Sequence, residues 1–510
     1  MAHLQVAHLA ALLGALGAVL TLAVRGRVPL LAGFVALGLA DACLGYALVP
    51  ASDLRRLTHH LAGWGLIAAL AITVAAVAVM LVRYPAATPV ALLVVAPFRL
   101  PVQLGDQKAF LLLPFYGVVA GAVVALAYRA LRGDELPTFP PLLSFPLALV
   151  AVLTSVSFLW SRDPRAGAIA LGFFYFPFVA GVAVVARSPL VSWVPRALAT
   201  TLVAFATLFA AIGLWQAQTR RLFFAPDLEV ANAYTTFFRV TSLFKDPSLY
   251  GLHLVLAIAV LLVAVWLRRV GPALAVGVIA FLSAGLYFSY SQSSFIALFA
   301  VTLAVAVVFG NHRLRLALAV CAAIAVVGGT VVAARAVASS SAREATSGRS
   351  RLVTVTFDAF RASPVYGVGI GGQPKASLEE SGAGSVKKDA SHTTPLTVAA
   401  ELGVIGFAAF VLLLAAEAWA LLLVTRRRRA LGLTLAAVLL TLFVHSLFYA
   451  GFFENPITWG VIGITAAALS LLARTEPALA ALPFRPLIPR AAASAPLAEG
   501  GDPVDGSPAG

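Results

Sequence analysis

The sequence predicts an all-α polytopic membrane protein, and three observations carry that prediction. Hydrophobic residues make up 61% of the 510, and charged residues only 11%. A soluble domain carries roughly 25% charged residues. Apolar runs of about 20 residues recur along most of the chain, which is the length a helix needs to cross the hydrocarbon layer. In that layer backbone polar groups must be satisfied within the segment, and this selects helices. The expectation is about 12–15 transmembrane helices, with one long external loop carrying a short amphipathic helix.

The candidate spans fall in order along the chain. The first four lie near residues 5–24, 28–49, 61–82 and 86–99. The next lie near 110–131, 140–159, 166–187 and 191–216. A third group lies near 247–268, 271–290, 294–310 and 314–336, and the last near 395–424, 430–452 and 457–473. The first run has no basic leader and is followed by further spans, so it reads as a span and not as a cleavable signal. Three regions follow from the pattern: N-terminal helices over residues 1–140, a transmembrane core over 141–474 that includes an external loop at 337–394, and a Pro/Ala-rich tail over 475–510 expected to be disordered. Cys43 and Cys321 both lie inside apolar runs, which implies neither a disulfide framework nor a cysteine metal site.

Charge orients the helices. The net charge of +15 would suggest nucleic acid on a soluble protein; here membrane orientation and anionic lipids account for it, and no nucleic-acid partner is expected. Arg426 to Arg429 form the densest basic cluster and read as cytoplasmic. Arg268/Arg269, Arg313/Arg315, Arg129/Arg132 and Arg25/Arg27 fall on the same side when the spans alternate. Three segments then lie outside: residues 216–245, the short turn at 289–294, and the loop at 337–394. The first carries Arg220, Arg221, Arg239 and Lys245, and the last carries seven Lys/Arg. Two readings fit external cations: an anionic ligand holds them there, or long loops cross regardless of charge.

The external loop has internal pattern. Residues 348–361 place apolar side chains near helical spacing and read as an amphipathic helix at the membrane surface, stopped by Ser363-Pro364. Gly367, Gly369, Gly371 and Gly372 follow as a turn-rich run. No strand precedes it, so a phosphate-cradling loop is not implied. Residues 379–389 are polar and read as mobile.

Three external segments flank helix starts. In the first, Asp246 suits an N-cap and Pro247 the first helical position, with Arg239 and Lys245 just before them. A guanidinium matches phosphate oxygens bidentately. The second is Phe288-Ser289-Tyr290-Ser291-Gln292-Ser293-Ser294. It offers hydrogen-bond donors at a helix start, and also fits a tight solvated turn between antiparallel helices. The third is Ser391-His392-Thr393-Thr394-Pro395, where Thr394 can cap an apolar helix whose positive dipole end faces the loop. An unperturbed imidazole titrates near neutrality, so His392 could accept a proton from an attacking hydroxyl. Glu401, inside the following span, is either part of a site or a partner for another helix's polar group. Asp163-Pro164 and Glu454-Asn455-Pro456 also sit at outer ends, and His59-His60 reads as interfacial.

At these residues the chain resembles the O-antigen ligase/polymerase superfamily. Arg239, Phe244 and Pro247 match an R-x-x-x-x-F-x-x-P segment opening a span. Ser289, Ser291, Gln292 and Ser293 match its serine-rich turn. Arg349 or Arg351, Pro364-x-x-Gly367-x-Gly369, His392 and Glu401-x-Gly403-x-x-Gly406 follow in order, and Phe98-Arg99-Leu-Pro101 is a further likeness. The resemblance covers roughly residues 150–470. It implies a glycosyltransferase in a bacterial inner or plasma membrane, with its active site on the periplasmic or extracellular face. Such an enzyme moves glycan from a polyprenyl-diphosphate carrier to a glycan or lipid acceptor and needs no metal or other cofactor. Membrane lipids and other polysaccharide-assembly proteins are its expected partners. Carried over, His392 is the general base, Arg239 holds diphosphate with Lys245, Arg349, Arg351 and Gln292, and Ser291 and Glu401 support them. The family's ligases carry Arg where this chain has Gln292, which leaves polymerase and ligase both open. A transporter or flippase of lipid-linked glycans is the alternative. It predicts internal repeats and polar breaks at mid-membrane, whereas the polar residues here cluster at one face.

Overall fold

In the computed structural model, described residues are 3–49, 61–104, 107–235, 237–313, 349–381 and 391–475. Among them, eleven helices are long and apolar enough to cross a membrane, or twelve if one bent pair counts as a span. The multi-pass helical architecture is therefore observed. The expected span at 314–336, His59-His60, Cys321 and the tail beyond residue 475 lie outside the described residues.

The N-terminal helices are α1 (Leu4–Ala18), α2 (Arg27–Leu48) and α3 (Leu61–Arg83). The run expected at 86–99 is not a span of its own. Tyr84 leaves helical geometry before Pro85, as residues before proline tend to. Helix α4 (Thr88–Val95) then departs at 114° from its predecessor. A two-stranded antiparallel hairpin follows, β1 (Leu100–Leu104) on β2 (Gln107–Leu111), a small exception to the helical pattern. Helices α5 (Leu113–Arg132), α6 (Pro141–Ser157), α7 (Pro164–Ala170), α8 (Phe176–Ala186) and α9 (Val194–Thr219) continue the bundle. A π-helical turn at Leu171–Tyr175 joins α7 to α8 in one span.

The segment at 216–245 holds a short helix that periodicity did not reveal, α10 (Pro226–Ala233). Helix α11 (Pro247–Trp266) lies at the centre of the C-terminal half, with α9, α12 (Pro272–Tyr287), α13 (Gln292–Phe309) and α17 (Arg429–Ser446) around it. It is apolar on every face, so it buries on every face. Its first turn therefore stands amid the surrounding helix ends.

The amphipathic segment is helical, α14 (Arg349–Ala362), and ends before Ser363-Pro364. A second short helix, α15 (Gln373–Ser381), replaces part of the expected mobile stretch. Helix α16 (Thr394–Arg427) is broken at Gly403, where φ is 65° and ψ is −168°. The break frees carbonyls that the glycine-rich run takes up. Val368 N–H donates to Ala400 O and Gly369 N–H to Glu401 O, both at 2.9 Å. Val404 N–H in turn donates to Pro364 O at 2.8 Å. The run is also tied to the end of α6, through Ser161 Oγ to Ile370 O and Ile370 N–H to Ser157 Oγ. It is a joint between helices, which explains its glycines without a bound phosphate. Helix α18 (Pro456–Thr475) is the last described. The described residues up to Leu471 group as one compact unit.

Candidate functional site

The entry to α11 is built from the backbone outward. Asp246 Oδ1 accepts from Ser248 N–H at 2.6 Å, the expected N-cap, and Pro247 occupies the first turn. The chain before it is clamped by Gln216, fully buried at the end of α9. Its amide oxygen accepts from Thr241 and Ser242 N–H, and its amide nitrogen donates to Ser242 O. Asn232 of α10 pairs with both backbone groups of Arg239. The Arg239 side chain then donates from Nε to Ser289 O at 3.3 Å. Neither Gln216 nor Asn232 was singled out in the sequence, because each partners a backbone group that no side-chain motif marks.

The serine-rich turn departs from the solvated-turn reading. Ser289, Ser291, Ser293 and Ser294 are all buried. Ser291 is the N-cap of α13 and its Oγ lies within hydrogen-bond reach of the Ser293 and Ser294 hydroxyls. Ser293 Oγ meets His445 Nε2 of α17 at 3.0 Å. The hydroxyls are spent on each other and on a neighbouring helix, so the turn is scaffold. Gln292, next to them, is exposed.

The entry to α16 also differs from expectation. Thr394 does not cap its own helix: its Oγ1 accepts from Gly451 and Phe452 N–H across the bundle. The N-cap position is Thr393, without a side-chain cap bond. His392 is exposed. Its neighbour Ser391 is anchored, donating its N–H to Gln373 Oε1 at 2.9 Å. Gln373 is 1% exposed and donates onward to Thr356 of α14 and Ser377 of α15. Glu401 is buried, its carboxylate directed at the backbone N–H groups of Gln373 and Gly371. This geometry fits the reading of Glu401 as a partner for another element's polar groups, here at the start of α15.

The entries to α11 and α16 meet at one cavity of 1030 Å³. Arg239 and Lys245 line it together with His392, which is far from them in sequence. So do Arg99, Asp246 and Tyr449, while Asp227 and Glu229 from α10 form an acidic part of the wall. Tyr449 lies beside Asp246, and burial holds its hydroxyl protonated far above the usual range. Gln292 and Arg351 are not among the lining residues, and the side chain of Arg349 lies outside the described residues. Asp163, the other outer carboxylate, caps α7 through Arg165 and Ala166 N–H. Among the described residues no group of three or more His, Cys, Asp or Glu side chains could hold a metal ion.

The arrangement is a large solvent-open chamber with three cationic side chains and an exposed imidazole on its walls, beside two helix starts. It can hold an anion and position a proton acceptor next to it. No curated protein matches the chain. Residues 277–411, which hold the serine-rich turn, the glycine-rich joint, His392 and the α16 break, match the family model described as O-antigen ligase, so this part of the chain is similar to the O-antigen ligase-like superfamily.

Proposed function

We propose that this protein is a membrane glycosyltransferase of cell-surface polysaccharide assembly, a polymerase or ligase, working at the periplasmic or extracellular face of a bacterial membrane. Its donor is a glycan on a polyprenyl-diphosphate carrier. The observation that carries this reading is the shared cavity of Arg239, Lys245 and His392. Arg239 and Lys245 hold the diphosphate. His392 accepts the proton of the acceptor hydroxyl as its oxygen attacks the anomeric carbon. A new glycosidic C–O bond forms, the C–O bond to the diphosphate breaks, and the electron pair leaves on the diphosphate, where the cations stabilise it. Ser291, through the buried turn beneath Arg239, and Glu401, through the joint behind His392, support this arrangement.

The test is glycan transfer by purified protein in vesicles, with a polyprenyl-diphosphate-linked donor. Arg239→Ala and His392→Ala should each reduce transfer at least a hundredfold, the scale of a lost general base or charge clamp. Normal transfer by both folded variants would overturn the mechanism.

A further inference from the structure

Arg99 is a cation on the cavity wall whose hydrogen bond goes to a backbone carbonyl and not to a carboxylate. It reaches the cavity from the N-terminal third of the chain, on the stretch between α4 and β1, and lines the wall together with Arg239, Lys245 and His392. It also lines a small recess beside the cavity, with Tyr449, Glu454 and Asn455. Arg99 therefore stands where chamber and recess meet.

Its surroundings orient the guanidinium without neutralising it. Nη2 donates to the backbone carbonyl of Glu454 at 3.3 Å. The guanidinium carbon lies 6.0 Å from the Phe174 ring centroid. The Glu454 carboxyl feels the Arg99 charge, but burial pushes it up toward the protonated form, so what Glu454 gives Arg99 is its backbone carbonyl. A half-buried guanidinium held by a carbonyl and a ring keeps its other donors and its full charge for something in the cavity. Desolvating such a charge is costly unless an anion completes it.

We infer that Arg99 is a third binding residue for the donor's diphosphate, distant in sequence from Arg239 but lining the same cavity. The inference rests on the proposed diphosphate donor and deepens it. It also accounts for the uncharged Gln292. That residue is outside the cavity wall, and the missing positive charge is supplied from the N-terminal helices instead.

The experiment compares Arg99→Ala, Arg99→Gln and Arg239→Ala in the vesicle assay, measuring KM for donor and acceptor separately and inhibition by inorganic diphosphate. Gln retains a donor for the Glu454 carbonyl while removing the charge, so loss of folding cannot stand in for loss of charge. Both Arg99 variants should raise the donor KM and the diphosphate inhibition constant roughly tenfold or more, as loss of a charge-assisted hydrogen bond does. The acceptor KM should stay within twofold, and Arg99→Lys should recover part of the loss. Unchanged donor KM and diphosphate inhibition in Arg99→Gln, with Arg239→Ala impaired, would overturn this inference alone. Unchanged values in both would overturn the diphosphate reading itself.

Discussion

The two helix entries that meet at the cavity are each held by one buried glutamine, and the two are held differently. Gln216 sits at the end of a membrane-length helix and spends all three of its bonds on the backbone of Thr241 and Ser242, just after Arg239. Gln373 opens a short loop helix and spreads its bonds over Ser391, Thr356 and Ser377. The cationic entry is thus fixed to the membrane bundle. The histidine entry is fixed to a small assembly of α14, α15 and the glycine-rich joint. On the proposed reading, anion holding and proton acceptance are mounted on different glutamine-centred supports.

The largest effect should come from the joint that carries the histidine side. Gly403 has a backbone conformation that is essentially restricted to glycine. A Cβ added there would run into the Val365 carbonyl. Gly403→Ala should therefore prevent the joint from closing, by more than the few kcal/mol that a single backbone outlier costs. The expected outcome is loss of monodisperse protein in detergent, seen by size-exclusion chromatography. A variant with wild-type yield and melting temperature would show that the joint is not what holds α16 in place.

Much of this was legible in advance, for a physical reason. Membrane spans announce themselves by length and composition. The Asp246-Pro247 start is encoded by adjacent residues, and the amphipathic α14 by its own period. What escaped was every role set by a distant partner. Thr394 has the right residue type and position for a cap, but its hydroxyl is taken by backbone 57 residues away. The hydroxyls at 289–294 are ordered by His445, 152 residues from Ser293, so a composition that fits a wet turn is buried instead. Gln216 and Gln373 carry no local signal for the same reason. Periodicity also missed α10 and α15, each only two to three turns long.

Removing the support of the cationic entry should have the next largest effect. Gln216→Ala strands the buried N–H groups of Thr241 and Ser242 and the Ser242 carbonyl, at a cost of about 3 kcal/mol in total. Arg239 then loses its fixed approach. The expected outcome is a lower melting temperature together with a donor KM raised several-fold, while the acceptor KM is unchanged. If acceptor and donor KM rise together, the two supports are one.

The smallest effect on stability should come from Gln373→Ala, and its kinetic signature should be the opposite. Its two hydroxyl partners have other acceptors, since Thr356 Oγ1 donates to Leu352 O and Ser377 Oγ to Val355 O. Only the Ser391 N–H loses its partner, which costs about 1–2 kcal/mol. That N–H belongs to the residue before His392, so the change falls on where the imidazole stands and not on how the diphosphate is held. Turnover should drop roughly tenfold with the donor KM preserved, because misplacing a general base forfeits part of its contribution and leaves ground-state binding alone. Gln373→Glu keeps the acceptor for Ser391 N–H and should recover most of the turnover. A donor KM that rises as much in Gln373→Ala as in Gln216→Ala would show that His392 and Arg239 hang from a common support.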